Sequence, residues 1–342
     1  MTTSVPRRSW LRRAAFILLV LIVSLAAIGV LYENISEARD RRFNPMEGIL
    51  VDVAGGKMHI DCVGNASAAS PTVILDSGLG DSYISWRKVQ PQIAKFVRVC
   101  SYDRSGIGYS DPSLAPRTSQ VIAEELHGLL QAAAIAPPYI LVGHSMGGYD
   151  VRVYASLYRS DVAGMVLVDA SHPDQDSRLP PELKDMDGSW MREAEFLEYS
   201  MPFGVPRLFG MCDDSVVQRA AECNFQSARV NVEEMKSFLT SAAETAATGP
   251  LGDIPLAVLS HDPDKLLLEM PAGLAKSTNE AWEKMQEELA KLSTHGTQTI
   301  AKGSSHYIQL DRPDVVIEGV RSVVDQVRAV QAPAVTPVLK NL

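Results

Sequence analysis

Eight short runs of β-branched and aliphatic residues recur along the chain and predict strands at 49–53, 57–63, 72–76, 97–102, 139–143, 164–169, 255–260 and 297–301. Ala54-Gly55-Gly56, between the first two, reads as a hairpin turn. The later runs are nearly continuous in apolar residues, as expected of strands buried on both faces of a parallel sheet. Helical patterns separate them: at 118–133, Ile122, Leu126, Leu129, Leu130 and Ala133 fall on one face, behind a cap at Thr118 or Ser119. This order predicts an α/β protein with a mostly parallel sheet, helices on both faces and an antiparallel hairpin at its start. Residues 174–250 break the rhythm, since they hold no convincing strand and have helical composition. They are expected to form a helical cap inserted into a sheet domain that spans 48–342. Its apolar Met201, Phe203, Val205, Leu208 and Phe209 are expected to pack on the sheet domain or to meet an apolar substrate.

The amino end has a different pattern. Residues 14–32 carry no charge and follow Arg7, Arg8, Arg12 and Arg13. As a helix rising 1.5 Å per residue such a run is about 28 Å long, close to the thickness of a bilayer's hydrocarbon core. Residues 1–32 therefore read as a membrane anchor or signal segment, followed by a linker at 33–47. Small residues at 24–26 and 27–29 could serve a signal peptidase, but the apolar run continues past them and favours an uncleaved transmembrane helix. The leading Arg cluster keeps the amino end in the cytoplasm and places the rest outside it, membrane-anchored, or secreted if the segment is cleaved.

Charge sharpens this picture. The 342 residues have a formal net charge of −9; residues 1–42 carry +4, which leaves −13 on the remainder. An acidic body without a basic stripe excludes a nucleic-acid partner. Cys62 and Cys100 lie in strand-like runs and are expected as small buried hydrophobes, whereas Cys212 and Cys223 are the pair to join in an exported domain. No Cys/His cluster suggests a metal site.

The candidate chemistry sits where the run at 139–143 enters Gly143-His144-Ser145-Met146-Gly147 and then a helical stretch. A sharp strand-to-helix turn of this G-x-S-x-G kind holds a serine strained and exposed, and the glycines remove side chains that would collide. A serine hydroxyl needs a base, and that base needs an orienting acid. Of the histidines after Ser145, His306 follows the last predicted strand behind Gly303-Ser304-Ser305, on a strand-end loop. The backbone N–H of Met146, at the start of the new helix, and that of Leu79, in Ser77-Gly78-Leu79-Gly80, are the expected oxyanion donors.

These residues resemble the α/β-hydrolase superfamily, in particular its AB hydrolase-1-like serine enzymes. The resemblance covers about 48–327 and rests on ILDSGLGDS (74–82), VCSYDRSGIGYSD (99–111), LVGHSMGGYDVR (141–152), VLVDASHP (166–173) and GSSHYIQLDRPDVV (303–316). It implies an α/β-hydrolase fold with an eight-stranded sheet, a Ser-His-acid triad and a cap after the sixth strand. Two positions depart from the family pattern: Ser77-Gly78 stands where many members have His-Gly, and Ser260-His261-Asp262-Pro263-Asp264 replaces the usual Gly-x-x-Asp acid turn. Counting from that turn points to Asp264 as the acid, with Asp262 beside it and Asp169, at the end of the sixth strand, as alternatives.

The function expected is cleavage of a carboxylic ester or related acyl bond in a small-molecule substrate, through an acyl-enzyme on Ser145 and without a cofactor. Serine rather than aspartate at the elbow disfavours dehalogenase and epoxide-hydrolase chemistry, which uses a carboxylate nucleophile. Aminopeptidase or cofactor-free peroxidase chemistry on the same fold is an alternative, and a catalytically silent protein binding a small apolar ligand is another.

Overall fold

The computed structural model describes residues 7–65, 70–212, 215–265 and 271–331. Its centre is one eight-stranded sheet: β1 (Ile49–Val53), β2 (Gly56–Val63), β3 (Thr72–Asp76), β4 (Val99–Tyr102), β5 (Tyr139–His144), β6 (Val162–Val168), β7 (Leu256–Ser260) and β8 (Gly296–Ile300). The strand order is β1-β2-β4-β3-β5-β6-β7-β8. β2 alone runs opposite to the other seven strands. The hairpin turns through Ala54 and Gly55, and Gly55 takes φ +104°, which a side chain would oppose.

The helices that matter below are α1 (Arg7–Phe43), α2 (Ser119–Ala132), α3 (Gly147–Leu157), α4 (Glu182–Ser200), α5 (Val216–Glu222), α6 (Phe225–Ala246), α7 (Ala272–Ala290) and α8 (Pro313–Gln331). Side chains alternate across the parallel strands, so the core forms on both faces of the sheet. Leu141 joins Leu126, Leu129 and Leu130 of α2 on one side. Ile140 and Val142 join Val316, Val320, Val323 and Val324 of α8 on the other. Each such side chain contributes about 1.5–3 kcal/mol by leaving water. The segment between β6 and β7 is helical, as its composition predicts, and carries α4, α5 and α6.

Two expectations are corrected here. The helix that carries the uncharged run does not give way to a linker after residue 32 but continues to Phe43. Glu33 and Asp40, two turns apart on one face, are buried against Arg207 of the helical insertion, which holds these last turns in place. Cys62 and Cys100 are not free thiols: the β2–β4 register sets them directly opposite each other, and they form a disulfide. Cys212 and Cys223 are bonded as well.

Beneath the hairpin, His59 is fully buried, with Nδ1 at 2.8 Å from Asp103 Oδ2 and Nε2 at 2.6 Å from the Glu47 carbonyl oxygen. Both partners only accept, so both ring nitrogens donate and the ring is an imidazolium. Burial opposes that charge, but Asp103 outweighs it and raises the His59 pKa above 6.5. A raised folded-state pKa gives stability that is complete below the unfolded value of about 6.5 and is lost as pH rises through the folded value. The urea midpoint should therefore fall between pH 6 and 9 by an amount that His59→Gln removes. Equal slopes in the two proteins would show that His59 makes no such contribution.

Candidate active site

Ser145 sits between β5 and α3 with φ +51°, a left-handed conformation that is costly for any residue with a side chain. The turn is over-determined. Ser145 donates its N–H to the Val168 carbonyl at 3.2 Å, and its own carbonyl accepts from Gly148 and Ser171 at 3.0 Å each. A Cβ at Gly147 would lie 2.6 Å from the Ser77 carbonyl oxygen, and one at Gly143 would collide with the Gly147 backbone. From Tyr139 to Ala155 every residue except Ser145 is buried. The packing that strains this serine also leaves it as the one residue of the stretch facing outward.

Three strand ends converge beside it. Asp169, just after β6 and at φ +42°, is completely buried. Its Oδ2 lies 2.6 Å from His306 Nδ1, the shortest of its contacts. Its Oδ1 accepts from Trp282 Nε1 at 2.9 Å and from the His261 backbone N–H at 3.0 Å, and His261 Nδ1 lies 2.9 Å from Oδ2. Burial pushes this carboxyl up, but the positive charge and hydrogen bonds of His261 and the bond to His306 outweigh it and hold Asp169 well below the usual carboxylate range. The His306 side chain remains 42% exposed, so its far edge stays open while Nδ1 is held. His144 steadies the same loop: its Nε2 lies 3.1 Å from the His306 carbonyl oxygen, and burial together with the nearby His306 lowers its pKa to about 3, which keeps it neutral.

The expected acid lies elsewhere. Asp264 is exposed, and its backbone N–H donates to Asp262 Oδ1 at 3.2 Å. Asp262 spends its carboxylate on the Gly303 N–H at 2.7 Å and on Lys302 Nζ at 3.1 Å. His261 turns in towards Asp169 immediately after β7. The structure therefore places Asp169, the alternative at the end of β6, on His306 in place of Asp264 or Asp262.

Leu79 and Met146, the two expected backbone donors, come together in one apolar cluster with Ile122, Tyr149 and Ala242. The loop before Leu79 is held by a buried Arg104. Its guanidinium donates to the Ser77 carbonyl at 2.7 Å and also to the Gly78 carbonyl. In a trans peptide the N–H points opposite to the C=O, so fixing the Gly78 carbonyl on Arg104 turns the Leu79 N–H away from it. Arg104 in turn binds Asp76 Oδ1 at 3.0 Å and Glu234 Oε1 at 2.7 Å, and Glu234 of α6 takes the Gly80 N–H at 2.8 Å. Neither Arg104 nor Glu234 stands out in the sequence as part of a site; the DRSG stretch is its only signal. Arg104→Met should leave Asp76 and Glu234 buried without a counter-charge and cost about 3–5 kcal/mol. A urea midpoint unchanged from the wild type would contradict this.

Among the described residues, no group of three His, Cys, Asp or Glu side chains is placed to hold a metal ion. A cavity of about 300 Å³ opens beside the β1–β2 hairpin, lined in part by Gly55, Met58, Asp111 and Glu125, and does not touch Ser145 or His306.

Residues 73–318 match the model of the alpha/beta hydrolase family. Over 250 residues the chain is 28% identical to the uncharacterized protein YqjL of Bacillus subtilis, covering 72% of this chain and 80% of that one. An uncharacterized protein of Schizosaccharomyces pombe is 24% identical over 305 residues; the match covers 78% of this chain but only 54% of that relative's length. Among solved structures, an esterase from Thermogutta terrifontis shares the fold at TM-score 0.59 and 19% identity, over 83% of this chain and all of that one. A putative lipase from Acinetobacter baumannii does so at TM-score 0.62 and 17% identity, over 87% and 97%. A putative ancestral haloalkane dehalogenase and an epoxide hydrolase are also structural neighbours.

Proposed function

We propose that this chain, which belongs to the alpha/beta hydrolase family, is a serine hydrolase that cleaves carboxylic esters through an acyl-enzyme on Ser145. The observation that carries this reading is the half-exposed His306, held through Nδ1 by a buried carboxylate next to the strained serine elbow. Dehalogenases and epoxide hydrolases of this fold attack with a carboxylate, and the elbow here offers a hydroxyl.

In this mechanism Ser145 Oγ attacks the ester carbonyl while His306 Nε2 takes its proton. Asp169 fixes the Nδ1–H tautomer and stabilises the imidazolium. The Leu79 and Met146 N–H groups receive the oxyanion. The tetrahedral adduct collapses as His306 returns the proton to the leaving alcohol. Water, deprotonated by the same histidine, then releases the acid and restores Ser145. The chain's own residues supply every step.

A fluorophosphonate probe should label the wild-type protein covalently, and Ser145→Ala should abolish the label. A folded wild-type protein that resists the probe would favour a silent ligand-binding member of the family instead.

The same reading places the protein at a membrane. Helix α1 holds one span, within Trp10–Phe43, long and apolar enough to cross a bilayer, and none of its apolar window is buried in the protein. The two disulfides fit an oxidising compartment. The Arg-rich amino end then stays in the cytoplasm and the hydrolase body lies outside it.

A further inference from the structure

The apolar side chains of the segment at 201–211 divide between the interior and the surface. Met201 is buried, but Phe203 is 45% exposed, Leu208 71% and Phe209 74%. Large apolar side chains grouped in this way mark an interaction surface. Their position identifies what they meet.

The segment packs on α1 at the end of its uncharged run. The Phe203 carbonyl lies so close to Gly29 that a side chain there would collide with it, and a Cβ at Gly204 would lie 2.6 Å from the Tyr32 ring. Arg207 then binds Glu33 and Asp40, just beyond the run. Gly29 precedes Tyr32 by three residues, or about 4.5 Å along the helix axis. If 14–32 fills the hydrocarbon core, Phe203 stands at the core's outer edge. Leu208 and Phe209 follow Gly204 through a single turn of helix, Val205–Leu208, and so remain within about 10 Å of that level. Apolar side chains at this depth meet the headgroup–acyl boundary.

The insertion that touches the membrane helix also touches the candidate site. Arg207 donates to the Cys223 carbonyl at 2.7 Å, the adjacent Glu222 accepts from Ser82 Oγ at 2.7 Å, and Glu234 holds the Gly80 N–H. One helical unit thus joins the bilayer boundary to the loop that carries Leu79.

We propose that Phe203, Leu208 and Phe209 bed in the bilayer interface beside α1, and that the site takes a long-chain acyl ester from the lipid phase. This rests on the membrane-anchored hydrolase reading above.

The test uses the full chain in phosphatidylcholine nanodiscs. All four native cysteines are paired, so Leu208→Cys can be labelled selectively with bimane. Nitroxide lipids labelled near the headgroup should quench it strongly, and aqueous iodide weakly. The reverse pattern would overturn the proposed interfacial position whether or not the protein is a hydrolase. In a Phe203→Ser, Leu208→Ser, Phe209→Ser triple variant, kcat/KM for a long-chain ester dissolved in the bilayer should fall at least about tenfold. A short water-soluble ester should be turned over as before. Equal effects on both esters, or none on either, would overturn the lipid-phase route. Failure of the wild type to take the fluorophosphonate would sink the hydrolase reading and leave the quenching result standing. Release of the wild type from membranes by alkaline carbonate would sink the anchor and the interfacial position together.

Discussion

Ser145→Ala is expected to reduce kcat for ester hydrolysis by about 10⁶-fold while leaving the fold and the urea midpoint nearly unchanged. The size of the loss follows from the mechanism, because alanine has no nucleophile and the residual rate comes only from bound water and the oxyanion donors. The fold should survive because the elbow is held by backbone bonds from Ser145 to Val168, Gly148 and Ser171, none of which uses the hydroxyl. His306→Ala should give a loss of similar size, and the double variant should be little worse than either, since the two residues act as a unit. Losses that multiply in the double variant would mean that serine and histidine work in separate steps, contrary to the proposed mechanism.

Asp169→Asn is expected to lower kcat by about 10³–10⁴-fold, with Asp262→Asn and Asp264→Asn within about threefold of the wild type. The amide can present its NH₂ to His306 Nδ1, which favours the wrong tautomer, and it carries no charge to stabilise the imidazolium. Asp169 also anchors the His261 backbone and Trp282, so part of the effect belongs to the β7 end as a whole. A comparison with Trp282→Phe separates the two contributions, since that change removes one donor to Asp169 Oδ1 and leaves the carboxylate on His306. Only Asp169→Asn should lose most of its turnover. A collapse in Asp264→Asn with Asp169→Asn active would reassign the acid.

Both predictions depend on residues that differ in how far the chain itself announces them. The strands, the hairpin, the helical insertion and the serine elbow are legible in the sequence because each is local: period-two and period-3.6 patterns, paired glycines, and a strand running into a helix across five residues. His306 is legible because it follows the last strand. The carboxylate that meets His306 is not legible, because Asp169, Asp262 and Asp264 all follow strands that end at the same edge of the sheet. What separates them is a contact across the parallel β6–β7 pair, where the Asp169 N–H meets the Leu259 carbonyl at 2.7 Å and brings His261 alongside. The Cys62–Cys100 bond likewise depends on a register between strands 38 residues apart in the chain. The docking of the helix beyond residue 32 likewise depends on Arg207 reaching Glu33 and Asp40 from the insertion, 174 and 167 residues away. Periodicity records which face of an element turns inward; it does not record which element lies opposite. The sequence by itself therefore determined the α/β sheet, the serine turn and the apolar amino-terminal helix. Only the tertiary structure decided which carboxylate holds the histidine, that Cys62 pairs with Cys100 and where the apolar tip of the insertion lies, because each of these is a meeting of distant segments that packing alone brings together.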